Sequence, residues 1–326
     1  MNIISLSLEN NCEKEQILLD LRKYYFNIEQ HQLLIQYYTA YYQTDFIDLS
    51  FMVYDMNRVV ALVICSKLQH QINFPGEGIK INLTQDSTVN TTAILKTIIA
   101  ALEEKAMQHA CSTIIIPDKL NAGILSELSN QLFNKRYQAR VTFNMEIDFK
   151  NFDENIFFKN IRKSYKSLIN WGRKNLHIEI INKAHAAKDK FIAFKALHYQ
   201  VSKRQTRSDE SWNIQYDMLR KGYGELILAY YNNKLVGGAL LIDKQDSCIY
   251  FTGVYVRELF TFGLSHFILY TGIISSFQRK TTQLFYLERF DTDIQDEKIY
   301  NIQFFKKGFC NNLTPLLLWE KSICQQ

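Results

Sequence analysis

The sequence predicts an α/β (α+β) protein with two tandem domains, 1–150 and 151–326, each a mixed, mostly antiparallel sheet flanked by helices. Three observations carry this. The chain has 326 residues, which is about two domains at roughly 150 residues each. Short apolar runs alternate with segments apolar at i, i+3 and i+4, so strands and helices interleave along the chain. Finally, Val53–Val63 (VYDMNRVVALV) and Ala229–Ala239 (AYYNNKLVGGA) share one pattern at an offset of 176. Both read as an apolar run, a polar turn, a basic residue and a second apolar run, which is how an internal repeat declares itself.

Each element follows from its residues. Ile3–Leu8 is a short apolar strand, and 13–43 reads as helices, with Ile17, Leu18, Leu21, Tyr24 and Tyr25 at helical spacing. Two apolar runs around Asp55-Met56-Asn57 form an antiparallel hairpin. Phe74–Gly78 (FPGEG) is a turn before a third strand, IKINL. Thr88–Ala110 is a helix, followed by a strand over Thr113–Pro117, a helix over Ile124–Phe133 and the alternating strand RVTFNMEIDF. The second half repeats the order. Helices over Asp153–Asn175 and Ala187–Lys203 precede a hairpin (GELILAYYNNKLVGGALLID), the strand CIYFTGVYV, a helix over Leu264–Phe277 and the strand LFYLER.

Composition excludes several classes. Hydrophobic residues make up 47% and charged residues 22%, which is neither a disordered tail nor a long coiled coil. With 3 Pro and 12 Gly the chain is not collagen-like or Pro-rich. The N-terminus has no basic start followed by an apolar stretch, and no run reaches the ~20 apolar residues of a spanning helix. Six dispersed cysteines, Cys12, Cys65, Cys111, Cys248, Cys310 and Cys324, form no CxxC pair. They suit free thiols in a reducing cytoplasm, the expected location. The net charge of +5 is unevenly placed, at −3 for 1–150 and +8 for 151–326. The stretch Lys159–Lys221 alone carries +10, enough to draw a phosphate-bearing ligand unless it is only a solvated face.

The string YFTGVYVRELFTFGLSHFILYTGIISSF, then LFYLERF and EKIYNIQFFKKGF, resembles the Fem-type (FemABX) branch of the GNAT acyltransferase superfamily. IRKSYKSLINWGRKN and HYQVSKRQTRSDESWNIQYDMLRKG fit the same resemblance, which covers about 155–310. It implies two GNAT-like domains that transfer an acyl group from acyl-CoA, or an aminoacyl group from tRNA, to an amine. The implied acceptors are peptidoglycan precursors, amino sugars, nucleotide sugars or surface-glycan precursors. Two features depart from the peptidoglycan enzymes: there is no room for an inserted coiled-coil arm, and Arg257 to Ser265 lacks the spacing of a Q/RxxGxG/A phosphate loop.

Candidate residues follow from this chemistry. In the GNAT arrangement that the resemblance implies, the helix after the third or fourth strand turns its N-terminus to the cofactor pyrophosphate, where free N–H groups and the dipole favour an anion. Gly263, Leu264 and Ser265 occupy that place, with Ser265 able to cap. Aminolysis needs a base near neutral pH. His266, kept neutral by the same dipole, is one candidate, and a helix residue fixing the local backbone is the alternative. Glu288, at the end of its strand, is a base or amine anchor, or else half of a structural pair with Arg289. Lys306 matches the lysine of the family's FKxxF pattern and is expected to touch a phosphate or the oxyanion. Lys307 is expected in solvent, and Phe305 and Phe309 in the core.

Arg204 and Arg207 suit bidentate recognition of phosphate or carboxylate, with Trp212 stacking on a base or sugar, unless Asp209 and Glu210 neutralise them. Arg257 is expected to point into the same cleft. Arg162, Lys163 and Lys166 resemble the basic helix of the family, and His198 reads as packed. No set of His, Cys, Asp and Glu has metal spacing, and neither GxSxG nor a Walker sequence occurs. The expectation is an N-acyltransferase without a metal, its cleft in 151–326, with 1–150 as scaffold or acceptor-binding domain. Its co-substrate is acyl-CoA or aminoacyl-tRNA, and its partners are a small-molecule amine or tRNA rather than DNA. A non-catalytic binding protein of the same fold is the rival.

Overall fold

The computed structural model describes residues 1–6, 27–56, 58–84, 90–244 and 247–323. The helix expected around Ile17–Tyr25, the end of the first strand at Leu8, and Cys12 and Cys324 lie outside them. Contacts divide the chain into two units, Met1–Phe143 with Thr314–Gln326, and Asn144–Leu313. The sequence reading assigned the whole of 151–326 to the second half. The C-terminal strand instead groups with the first, because it pairs there with a strand far away in sequence.

The first unit begins with β1 (Asn2–Ser5) and α1 (Ile28–Tyr42), whose Asn27 cap accepts from the Gln30 N–H at 3.0 Å. Then follow β2 (Phe46–Asp48), β3 (Phe51–Asp55), β4 (Arg58–Ile64), β5 (Ser66–Leu68), β6 (Gln71–Asn73), β7 (Lys80–Leu83), α2 (Thr91–Gln108), β8 (Thr113–Lys119) and α3 (Glu127–Asn134). One sheet runs β1-β3-β4-β7, all antiparallel. Alternation along β3 and β4 and the stripe Ile94, Ile98, Ile99 and Leu102 of α2 bury one shared core. Each such side chain contributes roughly 1.5–3 kcal/mol on leaving water.

β9 (Gln138–Asp148) leads into the second unit. There α4 (Glu154–Asn160), α5 (Lys163–Asn175), β10 (His177–Ile181), α6 (Lys188–Ser202) and α7 (Asp209–Lys221) precede β11 (Gly224–Tyr231) and β12 (Lys234–Asp243). β13 (Ser247–Tyr255), α8 (Leu264–Arg279), β14 (Leu284–Phe290) and α9 (Glu297–Lys307) complete it. Strand order is β10-β11-β12-β13-β14, antiparallel except for the parallel pair β13–β14. A Cβ on Gly237 would meet Ile268 of α8, and one on the next residue, Gly238, would meet Phe194 of α6. Successive strand residues face opposite ways, so α8 and α6 cover opposite faces of this sheet.

The single helix expected over Asp153–Asn175 is broken in two. Ile161 and Arg162 leave the helical region at ψ 160 and 129, and the Arg162 N–H donates to the Gly308 carbonyl at 2.9 Å. α7 is not among the helices expected from the sequence, yet it carries helix punctuation at both ends. Ser208 caps it by accepting from the Ser211 N–H, and Gly222 closes it at φ 86.

The internal repeat extends to backbone irregularity. In the first hairpin Val53 pairs with Ala61 and Tyr54 with Val59; in the second, Ala229 pairs with Gly237 and Tyr230 with Leu235. Every one of these positions is displaced by the same 176 residues, bulge included. The turns correspond as well, with Met56 at φ 53 and Asn232 at φ 50. In β15 (Asn312–Ser322), Leu316–Ser322 pairs antiparallel with Lys119–Thr113 of β8.

Gly263 enters α8 at φ 93, and a Cβ there would stand 2.5 Å from the Leu168 Cβ and 2.9 Å from its Cα. Gly263→Ala is therefore expected to cost about 2 kcal/mol or more, from left-handed strain and a backbone clash. Urea denaturation checks it, as a lower midpoint at unchanged slope.

Candidate active site

The site grows from one interruption of the sheet. β13 and β14 pair in parallel over only Ser247↔Leu284, Cys248↔Phe285 and Ile249↔Tyr286. Just beyond, β13 bulges: Leu241 faces Tyr250 and Leu240 faces Thr252, which leaves Phe251 as the extra residue. The bulge offsets one step of the alternation, so Tyr250 and Tyr255, five apart, come to the same face. Their hydroxyls are 2.6 Å apart. Gly253 lies between them, and any Cβ there would collide with the Tyr250 hydroxyl.

Lys306 of α9 faces this pair. Its Nζ donates to Glu288 Oε2 of β14 at 2.7 Å and sits 5.4 Å from the centre of the Tyr250 ring. The Lys306 side chain is 12% exposed and that of Glu288 44%, so the ammonium is sheltered while the carboxylate opens to solvent. Burial pushes the Tyr250 hydroxyl up to about 12, opposed by the Tyr255 hydrogen bond and by the Arg207 guanidinium. Tyr255 is raised well above its ordinary value, by burial first. Both hydroxyls are thus proton donors at neutral pH.

Arg207, whose charge reaches Tyr250, is held from behind by His198 of α6. Its Nη1 lies 3.1 Å from His198 Nε2. Arginine only donates, so Nε2 is the acceptor and the proton sits on Nδ1, 3.5 Å from Thr206 Oγ1. Burial, then Arg207, holds His198 down at about 4. Behind the bulge, Thr252 donates to the buried Gln215 of α7 at 2.8 Å, tying that stretch of β13 to the helix. Glu288 and Lys306 are therefore gathered beside Tyr250 and Tyr255, two residues that sequence reading passed over, while Arg207 acts on Tyr250 through its charge.

His266 lies elsewhere. Its ring meets Tyr165 at 4.3 Å and Phe305 at 4.9 Å, both edge-on, and Nδ1 is buried without a hydrogen bond. The imidazole is neutral as expected, but the cause is burial, then Arg162, which hold it at about 4. Enclosed by rings, it is a packing residue. Arg162 completes that aromatic cluster, donating to Tyr165 Oη at 2.8 Å and to the Phe304 carbonyl at 3.0 Å. Its guanidinium stacks 3.9 Å from the centre of Phe304.

Other expectations are corrected by burial and direction. Trp212 is fully buried against Phe194 and His198, so it packs and offers no face for stacking. Leu264 is likewise fully buried, and leaves only its backbone N–H at the helix start. Ser265 does not cap α8; Gly263 holds the cap position without any side-chain bond. Arg289 follows Glu288 on a strand and so points to the opposite face, which removes the proposed Glu288–Arg289 pair. Lys195, at 2.7 Å, takes Asp209, so that carboxylate is not spent on Arg204 or Arg207. Arg204, Arg257 and Lys163 are exposed, and Arg257 sits in the 3-10 turn Arg257–Leu259. Lys166 Nζ donates to the Lys159 carbonyl at 2.7 Å, and Lys307 lies over the Phe290 ring. Among the described residues no group of three or more His, Cys, Asp and Glu could hold a metal, and no helix is long and apolar enough to cross a membrane.

Neither protein-family models nor curated proteins give a match to this chain. Solved structures do. FemX superposes with a TM-score of 0.60 at 12% identity, over 90% of this chain and 91% of FemX. The chain has a FemABX-like, tandem GNAT fold. A tandem GNAT protein from the clavulanic acid biosynthesis pathway matches at TM-score 0.52 and 11% identity, over 90% of this chain and 88% of that one. L-PGS from Bacillus licheniformis matches at 0.50 and 10%, covering 83% of each chain. In this GNAT-like fold the β13–β14 opening and the start of α8 belong to the second copy.

Two measurements check this geometry. Glu288 is substantially exposed, so its pair with Lys306 is screened, and a Glu288→Gln/Lys306→Met double-mutant cycle should give a stability coupling of about 1 kcal/mol or less. His198 and His266 stay neutral to about pH 4, whereas in the unfolded chain they take up protons near the ordinary ~6.5. The stability they contribute is full above about 6.5 and is lost as pH falls toward 4. The melting temperature should therefore drop between pH 7 and pH 5, and the drop should shrink in His198→Gln/His266→Gln.

Proposed function

We propose that the chain is an acyltransferase that moves an acyl or aminoacyl group onto an amine, with the opening between β13 and β14 as its reaction site. The observation that carries this reading is the grouping of Glu288, Lys306 and the Tyr250–Tyr255 hydroxyl pair where the two parallel strands part. The amine nitrogen attacks the carbonyl carbon of a thioester or ester, and a tetrahedral oxyanion forms. Glu288, open to solvent, takes the hydrogen bond and then the proton of the attacking nitrogen. Lys306 Nζ and the Tyr250 hydroxyl are the donors for the oxyanion and for the departing thiolate or alkoxide as the C–S or C–O bond breaks. No side chain of the group is an activated nucleophile, so transfer is direct.

The donor is acyl-CoA or aminoacyl-tRNA, bound through the α8 N-terminus and the cations of the second unit. The acceptor is the amine of an amino sugar, nucleotide sugar or surface-glycan precursor, and the first unit serves as scaffold or acceptor-binding domain in the cytoplasm. The tRNA reading draws on one specific feature: Lys163, Lys174, Lys183, Lys188, Lys203 and Arg204 are exposed within the strongly basic stretch.

The test is transfer to amino-sugar and nucleotide-sugar amines, with acetyl-CoA (thiol release) and aminoacyl-tRNA (deacylation) run side by side. Lys306→Met should lower kcat by about 10²–10³ and Glu288→Gln by about 10²–10⁴, with folding intact. Equal turnover in both variants and the wild type would move the chemistry away from this opening, and no turnover with either donor would leave a non-catalytic binding protein.

A further inference from the structure

A cavity of about 700 Å³ opens at the other end of β14 from Glu288, where α8 finishes and β14 begins. Pockets for small molecules span about 300–1,000 Å³. Its wall is apolar: Phe149 and Phe277 meet edge-on at 5.6 Å. Into that wall are set two polar groups that are costly to bury. The Glu146 carboxylate is 6% exposed, and Oε1 accepts from Asn144 Nδ2 at 3.2 Å. Thr282 is 9% exposed, and its Oγ1 is buried with no hydrogen-bond partner. An unmet buried hydroxyl costs stability, and the fold retains it at the lining of a cavity. At the rim stand two exposed ammonium groups, Lys150 and Lys280.

The site is held rigidly. Lys280 closes α8 at φ 56, and the residues on either side of it are tied to one carboxylate. Arg279 Nη2 meets Asp243 Oδ1 at 2.6 Å and Thr281 donates to Oδ2 at 2.9 Å. The negative end of the α8 dipole points to the cavity and adds to Glu146 in favouring a cation inside. The exposed Asp148 carboxylate stands at the same rim and accepts from the Lys150 N–H at 2.8 Å. The charge pattern is thus negative and hydroxyl-seeking within, and at the mouth two ammonium groups outweigh one carboxylate.

We propose that this cavity is a second small-molecule site, separate from the β13–β14 opening, for an amino-sugar phosphate or a compound of the same chemistry. A primary amine lies on Glu146, a neighbouring hydroxyl bonds Thr282, the sugar face rests on Phe149 and Phe277, and the phosphate meets Lys150 and Lys280. This goes beyond the transfer reaction and does not depend on it.

Calorimetric titration of the full chain tests it, with glucosamine 6-phosphate, glucosamine and glucose 6-phosphate as probes. Glucosamine 6-phosphate should bind tightest, and loss of either the phosphate or the amine should weaken binding about tenfold or more. Thr282→Val should weaken glucosamine 6-phosphate about tenfold with an equal or higher melting temperature, because it removes an unmet hydroxyl. Glu146→Gln should weaken the amine probes but not glucose 6-phosphate, and Lys280→Glu should weaken both phosphates. Lys306→Met, in the other site, should leave all three affinities unchanged. The proposal is overturned if no probe saturates by about 10 mM. It is equally overturned if glucose 6-phosphate binds as well as glucosamine 6-phosphate, or if Lys306→Met abolishes binding that Thr282→Val spares.

Discussion

The second unit depends on where two parallel strands stop pairing. β13 and β14 hold together for three residues and then separate, because an additional residue at Phe251 redirects β13. Everything polar near Glu288 follows from that. The strand ends would otherwise satisfy each other, and no side chain could enter. The bulge also turns Tyr250 and Tyr255 to the same side, and Gly253 leaves room for their contact. Thr252, pinned by Gln215, keeps the irregularity in place from the opposite face.

Around this opening the protein arranges charge in layers. Lys306 is sheltered and paired, Glu288 is paired and wet, and Arg207 is backed by an imidazole that burial keeps uncharged. A neutral His198 beside a guanidinium avoids the repulsion of two neighbouring cations. The aromatic enclosure of His266 works in the same way with Arg162, but its result is packing between α5, α8 and α9. Two histidines with the same direction of shift therefore do different things, and their surroundings decide which.

Much of the fold was legible in the sequence because strands and amphipathic helices announce themselves by period. The repeat at 176 positions was visible as a pattern of polarity, and it proved to extend to a shared bulge. What escaped were features set by contacts distant in sequence. The break at Ile161–Arg162 comes from a bond to Gly308, which nothing nearby in the chain announces. Tyr250 and Tyr255 were missed because simple alternation puts residues five apart on opposite faces. Glu288 and Lys306, singled out by strand position and by the FKxxF resemblance, lie within hydrogen-bond distance of each other. Trp212 and Leu264 were misassigned because their apolar bulk suits a ligand wall and a core equally, and only burial separates the two. α7 was the avoidable error, since Ser208 and Gly222 are ordinary helix punctuation.

The pairing of Leu316–Ser322 with β8 has a consequence for biosynthesis. The first unit is made of both an early segment and the last strand, so the edge of β8 has no partner until the entire second unit has been synthesised. The second unit is continuous in sequence, so every one of its residues is made before the segment that completes the first. The sheet of the first unit therefore cannot close at the point in synthesis where an N-terminal domain ordinarily would. In the interval β8 presents an apolar edge, Thr113–Pro117, of the kind that chaperones cover and that other chains can capture.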